Sequence, residues 1–385
     1  MTVPRGFPDE EFRSRCTKAQ SLMAETGLDA LLLTTEVEVR YYTGFLTRFW
    51  ESPTRPWFVV LPATGAPIAV IPSIGTHLMQ QTWVDDIRTW ASPDYDDDGI
   101  GLLVETLREL VPEGGRIGLA AHLESHVRMP RAGMEALEAA LGSRRLVPDD
   151  EITWRLRMVK SEAEIAKITA AVGVADRAFN RVGEIARVGV ALSEVFRRFQ
   201  MLCLDEGADW VPYLAGAAGQ GGYNDVISPA TNAPLRVGDV LMLDTGVIRD
   251  GYFSDFDRNF SVGAPAEAVK MGHSRLIEAI DAGLDAAKPG ARFCDIFHAM
   301  NTVVSDGGAP SDAGRLGHGL GMQLTEGPSI IPADQTVLEP GMVLTLEPSV
   351  AVGGGKILVH EEDIVIRENG PVCLSQRETR EMRVI

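Results

Sequence analysis

The chain has 385 residues, with 36 Lys and Arg against 54 Asp and Glu, for a formal net charge of −18. That length allows about two domains with real cores, while the acidic balance and the lack of a basic run argue against a partner nucleic acid or anionic membrane. The four cysteines, Cys16, Cys203, Cys294 and Cys373, form no C-x-x-C pair, which excludes a zinc ribbon or disulfide framework and fits a reducing cytoplasm.

The first residues, MTVPRGFPDEEF, hold no basic region leading into an apolar core, so no signal peptide is expected. Residues 10–26 carry apolar positions at helical spacing and end at Gly27, a C-cap. Residues 29–33 read as a buried strand. Residues 56–84 contain no Asp, Glu, Lys or Arg and are long enough to raise a membrane span. Pro62, Gly65, Pro67, Pro72 and Gly75 break that stretch into two buried strands, 58–61 and 68–71, around an Ala-Thr-Gly-Ala-Pro turn. Residues 99–110 read as helix, 116–120 as strand and 134–141 as a helix ending at Gly142. This alternation defines a first α/β domain over 1–150. Residues 148–160 read as a joint. Residues 161–185 and 192–206 are long helical stretches, the first opened by a capping box of Ser161 and Glu164. From Val237 onward strands and turns dominate, with one helical interlude at 270–287, so 151–385 reads as a second, α+β domain.

Two hairpins of that domain gather carboxylates. In residues 239–260 the turn is Arg249-Asp250-Gly251, and Asp-Gly is a strong hairpin signal. With Asp250 and Gly251 as the loop residues, Asp244 faces Asp257; with the turn one residue earlier, Asp244 faces Asp255. Either register puts Asp244 and Asp255 on one sheet face. In residues 341–366 a turn centred on Gly354 sets Glu347 opposite Glu361. Like charges facing across a sheet destabilise it unless a cation lies between them, and a lone carboxylate in an apolar strand needs a partner. Solvated strand-face acids are the plain alternative; its weight falls because both hairpins are built alike. His318 lies in the glycine-rich loop RLGHGLGM, where glycines permit close backbone approach to a ligand or metal. Four carboxylates and one imidazole suit Mn²⁺, Co²⁺, Fe²⁺ or Zn²⁺. Four negative charges balance two divalent ions, which together activate a water and polarise a carbonyl.

This pattern closely resembles the pita-bread metallohydrolases, which include aminopeptidase P, prolidase, methionine aminopeptidase and the metal-free creatinase. The resemblance spans nearly the whole chain: R-Y-Y-T-G-F at 40–45 is similar to the creatinase-type first domain, and L-R-M-V-K-S-E-A-E-I at 156–165 to the joining helix. It implies a C-terminal pita-bread fold behind a smaller α/β domain, and a dinuclear-metal hydrolase of an amide C–N bond, with Xaa-Pro peptides as substrates. It implies that Asp244 binds one ion, Asp255 bridges both, His318 and Glu347 bind the other, and Glu361 bridges. Manganese is the expected metal. Glu347 becomes the general base and acid. A homodimer is also implied, in which the region holding Arg48, Phe49, Trp50 and Arg55 closes the partner's pocket. Trp50 and Arg55 are then candidates to hold a substrate carboxylate or quaternary ammonium, the alternative being surface packing.

The chain departs from its relatives at three positions. Family peptidases carry a histidine seven residues after the ligand histidine, where this chain has Thr325, and another at the position of Ile227. Those histidines contact substrate and assist proton transfer to the leaving amine. Thr325 can hydrogen-bond an oxyanion but cannot carry a proton near neutral pH. Tyr223, Asn224 and Asp225 are the local candidates to replace Ile227's counterpart, against a simple turn. Asp257 stands where relatives usually have Thr, as an extra ligand, a neighbouring acid, or the partner of Arg258 or another base. These departures keep a second expectation open: a creatinase-like enzyme, hydrolase or lyase, acting on a small non-peptide substrate.

Overall fold

A computed structural model describes residues 3–51, 55–305 and 314–385. The chain divides into two compact units, Pro4–Arg157 and Met158–Ile385. The division falls at the end of the helix Ile152–Met158, a little later than the expected boundary after residue 150.

The first unit is built on a six-stranded mixed sheet. Its strands are β1 (Ala30–Leu33), β2 (Phe58–Pro62), β3 (Ile68–Pro72), β4 (Ile87–Trp90), β5 (Arg116–Leu119) and β6 (Arg145–Pro148), in the order β4-β3-β2-β1-β5-β6. The inner strands β1, β2 and β3 are readable because they are apolar throughout, as strands covered on both faces are, and β5 is apolar after Arg116. The two edge strands, β4 and β6, are short, of mixed polarity and partly exposed, and no periodicity marks them. Phe58, Val60, Ile68 and Val70 pack against Leu103 and Leu107 of the helix Ile100–Leu110. The R-Y-Y-T-G-F motif ends a helix, Glu36–Thr43, that opens on a capping box of Thr35 and Glu38.

Trp50 and Arg55 lie in this unit. The Trp50 ring is buried against Trp57, with centroids 5.8 Å apart. The Arg128 guanidinium covers the ring at 5.1 Å and donates to the carbonyls of Trp50 (3.1 Å) and Arg55 (2.8 Å). Within this unit Trp50 packs between Trp57 and Arg128. Arg55 sits over the Phe49 ring at 5.3 Å.

The second unit packs the helices Glu162–Asn180, Leu192–Asp205, Glu267–Ala286 and Phe293–Val304 around two five-stranded sheets. One sheet runs β18-β10-β8-β7, from β7 (Trp210–Gln220), β8 (Asp239–Arg249), β10 (Phe256–Ser261) and β18 (Arg383–Val384), with β9 (Tyr252–Phe253) on β8. The other runs β12-β11-β13-β16-β17, from β11 (His318–Gly319), β12 (Glu326–Ser329), β13 (Val343–Leu346), β16 (Glu362–Arg367) and β17 (Gly370–Cys373). A separate ribbon pairs β14 (Ser349–Gly353) with β15 (Lys356–Val359). β7 was not anticipated, because LAGAAGQ is poor in β-branched residues. Its Gly216, at φ +151, lies so close to β8 that a Cβ would meet the Met242 carbonyl at 2.2 Å.

Both hairpins form, and both are interrupted. In the first, Asp250 (φ 53) and Gly251 (φ 78) make the turn, and Asp244 pairs with Asp257 rather than Asp255. The ladder then breaks at Ser254 and Asp255, where the Asp255 N–H donates to Asp363 Oδ2 at 3.1 Å. In the second, Leu346 pairs with Glu362 and Ser349 with Val359 in the register expected of a turn centred on Gly354, but the register shifts between Ala351 and Gly353, and Gly353 pairs with Lys356 across Gly354 and Gly355. Between these ladders Glu347–Pro348 and His360–Glu361 leave the sheet, where the His360 N–H donates to the Pro348 carbonyl (3.1 Å) and the Glu347 N–H to the Leu316 carbonyl (2.9 Å). Asp255, Glu347 and Glu361 thus sit where the hairpins break, while Asp244 stays in the unbroken part of β8. A break frees the backbone from sheet geometry and lets adjacent side chains converge.

Candidate metal centre

Asp255, His318 and Glu361 bring one potential ligand atom each to within 4.8 Å of the others, all three buried. His318 Nε2 stands 3.4 Å from Asp255 Oδ2. His318 Nδ1 lies 2.9 Å from the Gly319 carbonyl. A carbonyl only accepts, so Nδ1 carries the proton and the Nε2 lone pair points into the cluster. Burial, helped by the Arg315 guanidinium, lowers the His318 pKa to about 4 and keeps the ring neutral. The glycines around it serve a different purpose from the one expected. Gly317 (φ +137) admits β13, since a Cβ there would meet the Thr345 carbonyl at 2.2 Å; the close approach is of strand to strand.

Asp244 projects from the centre of β8, a strand buried along nearly its whole length. Tyr213 donates its hydroxyl to Asp244 Oδ2 at 2.9 Å. Asp244 Oδ1 and Glu361 Oε1 are buried and have no hydrogen-bond partner among the described residues. Glu347 is half-buried and less enclosed than the other three acids. Burial raises the Asp244 pKa to about 6 and the Glu347 pKa to about 7, and pushes Asp255 and Glu361 well above the usual carboxylate range, with repulsion among the acids adding to the last three. Arg315 opposes this at Asp255 and Glu347. One guanidinium cannot neutralise four enclosed carboxylates. Orphaned oxygens, a neutral imidazole and a mostly oxygen donor set are what divalent transition-metal ions require.

The remaining candidates divide sharply. Thr325 is at the site's edge, its Oγ1 accepting from Arg315 Nη2 at 3.3 Å. Its loop is anchored by Glu326, which accepts from the Met322 N–H (2.8 Å) and pairs with Lys160 (3.1 Å). Tyr223 is not a substrate contact: it is 1% exposed, donates to Asn259 Oδ1 (3.0 Å) and accepts from the Val359 N–H (2.7 Å). Its phenol ties β10 to β15 instead. Asp225 folds its own turn by accepting from the Ile227 and Ser228 N–H groups, and Ile227 is 80% exposed. His360 is buried, with Nε2 3.1 Å from Glu362 Oε1. Arg258 does not pair with the Asp257 carboxylate. It binds Glu362 (2.8 Å) and Glu378 (3.2 Å) and donates to the Glu361 carbonyl at 2.7 Å, clamping the two sheets together beside the site. Tyr213, Arg315 and Asp363 are the functional neighbours that sequence reasoning missed. Tyr213 lay in the unread strand β7, and Asp363 meets Asp255 only through the packing of the two sheets.

A carboxylate-rich centre with one imidazole, carried by paired hairpins behind a creatinase-like first unit, defines the pita-bread class of metal-dependent hydrolases. The profile of metallopeptidase family M24 matches residues 166–368, and that of the creatinase/prolidase N-terminal domain residues 15–159. The chain belongs to metallopeptidase family M24. It is 30% identical over 374 residues to a probable dipeptidase PepE from Mycobacterium tuberculosis, covering 96% of both chains. It is 28% identical over 256 residues to an Xaa-Pro dipeptidase from Pyrococcus horikoshii, covering 65% of this chain and 72% of that one. The crystal structure of dipeptidase PepE from Mycobacterium ulcerans superposes with a TM-score of 0.84 at 27% identity, over 98% of this chain and 99% of that one. The protein is thus a metal-dependent hydrolase whose family uses divalent metal ions.

Proposed function

We propose that this enzyme hydrolyses the amide C–N bond of small peptides, dipeptides ending in proline foremost, with two divalent ions held by Asp244, Asp255, His318, Glu347 and Glu361. The observation that carries the reading is the convergence of Asp255, His318 and Glu361, with the buried oxygens Asp244 Oδ1 and Glu361 Oε1 unpartnered among the described residues. The names of the dipeptidase relatives support the substrate class. Manganese is the first choice, since the donors are mostly oxygen. Bound ions supply Lewis acidity, activating water and polarising the scissile carbonyl. Glu347, the least enclosed acid, accepts the proton of the attacking water and returns it to the leaving amine. Arg315 and Thr325, joined by their hydrogen bond, offer donors to the oxygen that gains charge. A cytoplasmic homodimer belongs to the same reading. Four free cysteines fit a reducing compartment, and Arg55 remains a candidate contact for a substrate carboxylate.

One observation favours a second reading. The two positions where family peptidases carry histidines hold a threonine engaged by Arg315 and an exposed isoleucine. Without those imidazoles, a small non-peptide amide of the creatinase kind becomes the competing substrate. Both readings meet one test: proline release from Xaa-Pro dipeptides and tripeptides by Mn²⁺-loaded enzyme, with Asp255→Asn as control. Release that disappears in the variant supports the peptidase. Absence of release from protein shown to hold its metal rejects it in favour of small amides.

A further inference from the structure

We infer that Asp257 is an additional metal ligand, binding the same ion as Asp244. The inference rests on the metal centre proposed above. Asp257 lies directly opposite Asp244 in the β8–β10 register, on the same sheet face. Facing residues of an antiparallel pair hold their Cβ atoms about 5 Å apart, and two like charges there destabilise the pair. Both side chains are buried, Asp257 to 1% exposure, and each has an oxygen (Asp244 Oδ1, Asp257 Oδ1) with no hydrogen-bond partner among the described residues.

Among the described residues no cation makes a hydrogen bond to the Asp257 carboxylate, and Arg258 acts on it only through its charge. Arg258 alternates to the other face and is occupied by Glu362, Glu378 and the carbonyls of Asp257, Glu361 and Gln376. The closest cationic candidate, His360 Nδ1, is 3.9 Å from Asp257 Oδ1, beyond hydrogen-bond reach, and its Nε2 engages Glu362. Its place opposite Asp244 in the ladder puts this buried, unpartnered oxygen beside the centre. The charges then balance. Five carboxylates and the Arg315 guanidinium leave a net charge that two divalent ions cancel.

The test is Mn²⁺ titration of metal-depleted wild type, Asp257→Asn and His360→Asn by calorimetry, with circular dichroism to verify folding. The expected result is two ions bound by the wild type, one of them weakened at least tenfold by Asp257→Asn, and unchanged affinity in His360→Asn. Asp257→Thr, a smaller side chain, serves as a second variant if the amide does not fold. A Co²⁺ absorption spectrum that changes in the Asp257 variant and not in the His360 variant supports direct ligation independently of activity. Unaltered affinity and spectrum in the Asp257 variants overturn the inference. So does an equal loss in His360→Asn, which would mean that Asp257 acts through the imidazole. A wild type that binds fewer than two ions overturns the dinuclear reading itself, and is seen in the wild-type titration alone.

Discussion

Raising the pH should destabilise the metal-free enzyme and leave the metal-loaded enzyme almost unaffected. Asp244 is fully enclosed, and burial lifts its pKa from 3.8 to about 6. A carboxylate whose folded-state pKa is raised favours the fold while it keeps its proton. That contribution is complete below about pH 4 and is lost as the pH climbs through about 6. About two pKa units correspond to about 3 kcal/mol. Half-buried Glu347, raised to about 7, acts in the same direction with a smaller share and extends the window upward. For a unit of this size, 3 kcal/mol is roughly 6–12 °C in melting temperature. Divalent ions bind the ionised carboxylates, so saturating metal should return at least that much at pH 8 and far less at pH 5. The assay is thermal denaturation of chelator-treated and Mn²⁺-loaded protein at half-unit steps from pH 4 to 8. Metal-free protein whose melting temperature rises across that range, or metal that stabilises equally at both ends, would refute the account of the buried cluster.

Other substitutions probe the scaffold around the centre. Tyr213→Phe removes the one hydroxyl that Asp244 accepts; orienting bonds of this kind are worth about 10–100-fold in metal affinity, and a chelator-competition assay showing no loss would exclude that role. Arg258→Leu strands Glu362 and Glu378 in the interior. It should cost about 3–5 kcal/mol, read as a fall in the denaturation midpoint at constant m-value, and a midpoint equal to wild type would contradict the clamp. Gly216→Ala forces a methyl into the Met242 carbonyl; at least about 3 kcal/mol of overpacking cost is expected, and a normally stable alanine variant would show that β7 and β8 can separate freely.

The sequence by itself determined much of the centre. Side chains alternate along a strand, and a Gly-containing turn sets the register, so the facing of Glu347 and Glu361 and the shared face of Asp244 and Asp255 could be deduced from spacing alone. Apolar runs marked the inner strands of the first sheet for the same local reason. The choice between the two registers of the first hairpin belonged to the structure, because Asp-Gly can be placed one residue either way until neighbouring strands fix it. So did the fate of Tyr223 and Trp50. An aromatic residue in a glycine-rich or basic segment carries no local mark of whether it faces substrate or core, and only the packing of β10 against β15, or of Arg128 on Trp50, decides. The breaks that turn Asp255, Glu347 and Glu361 inward are likewise tertiary. Asp255 leaves its ladder because Asp363, more than a hundred residues away, offers its backbone N–H a better acceptor. Local chemistry marked the candidate ligands, and long-range packing chose where they meet.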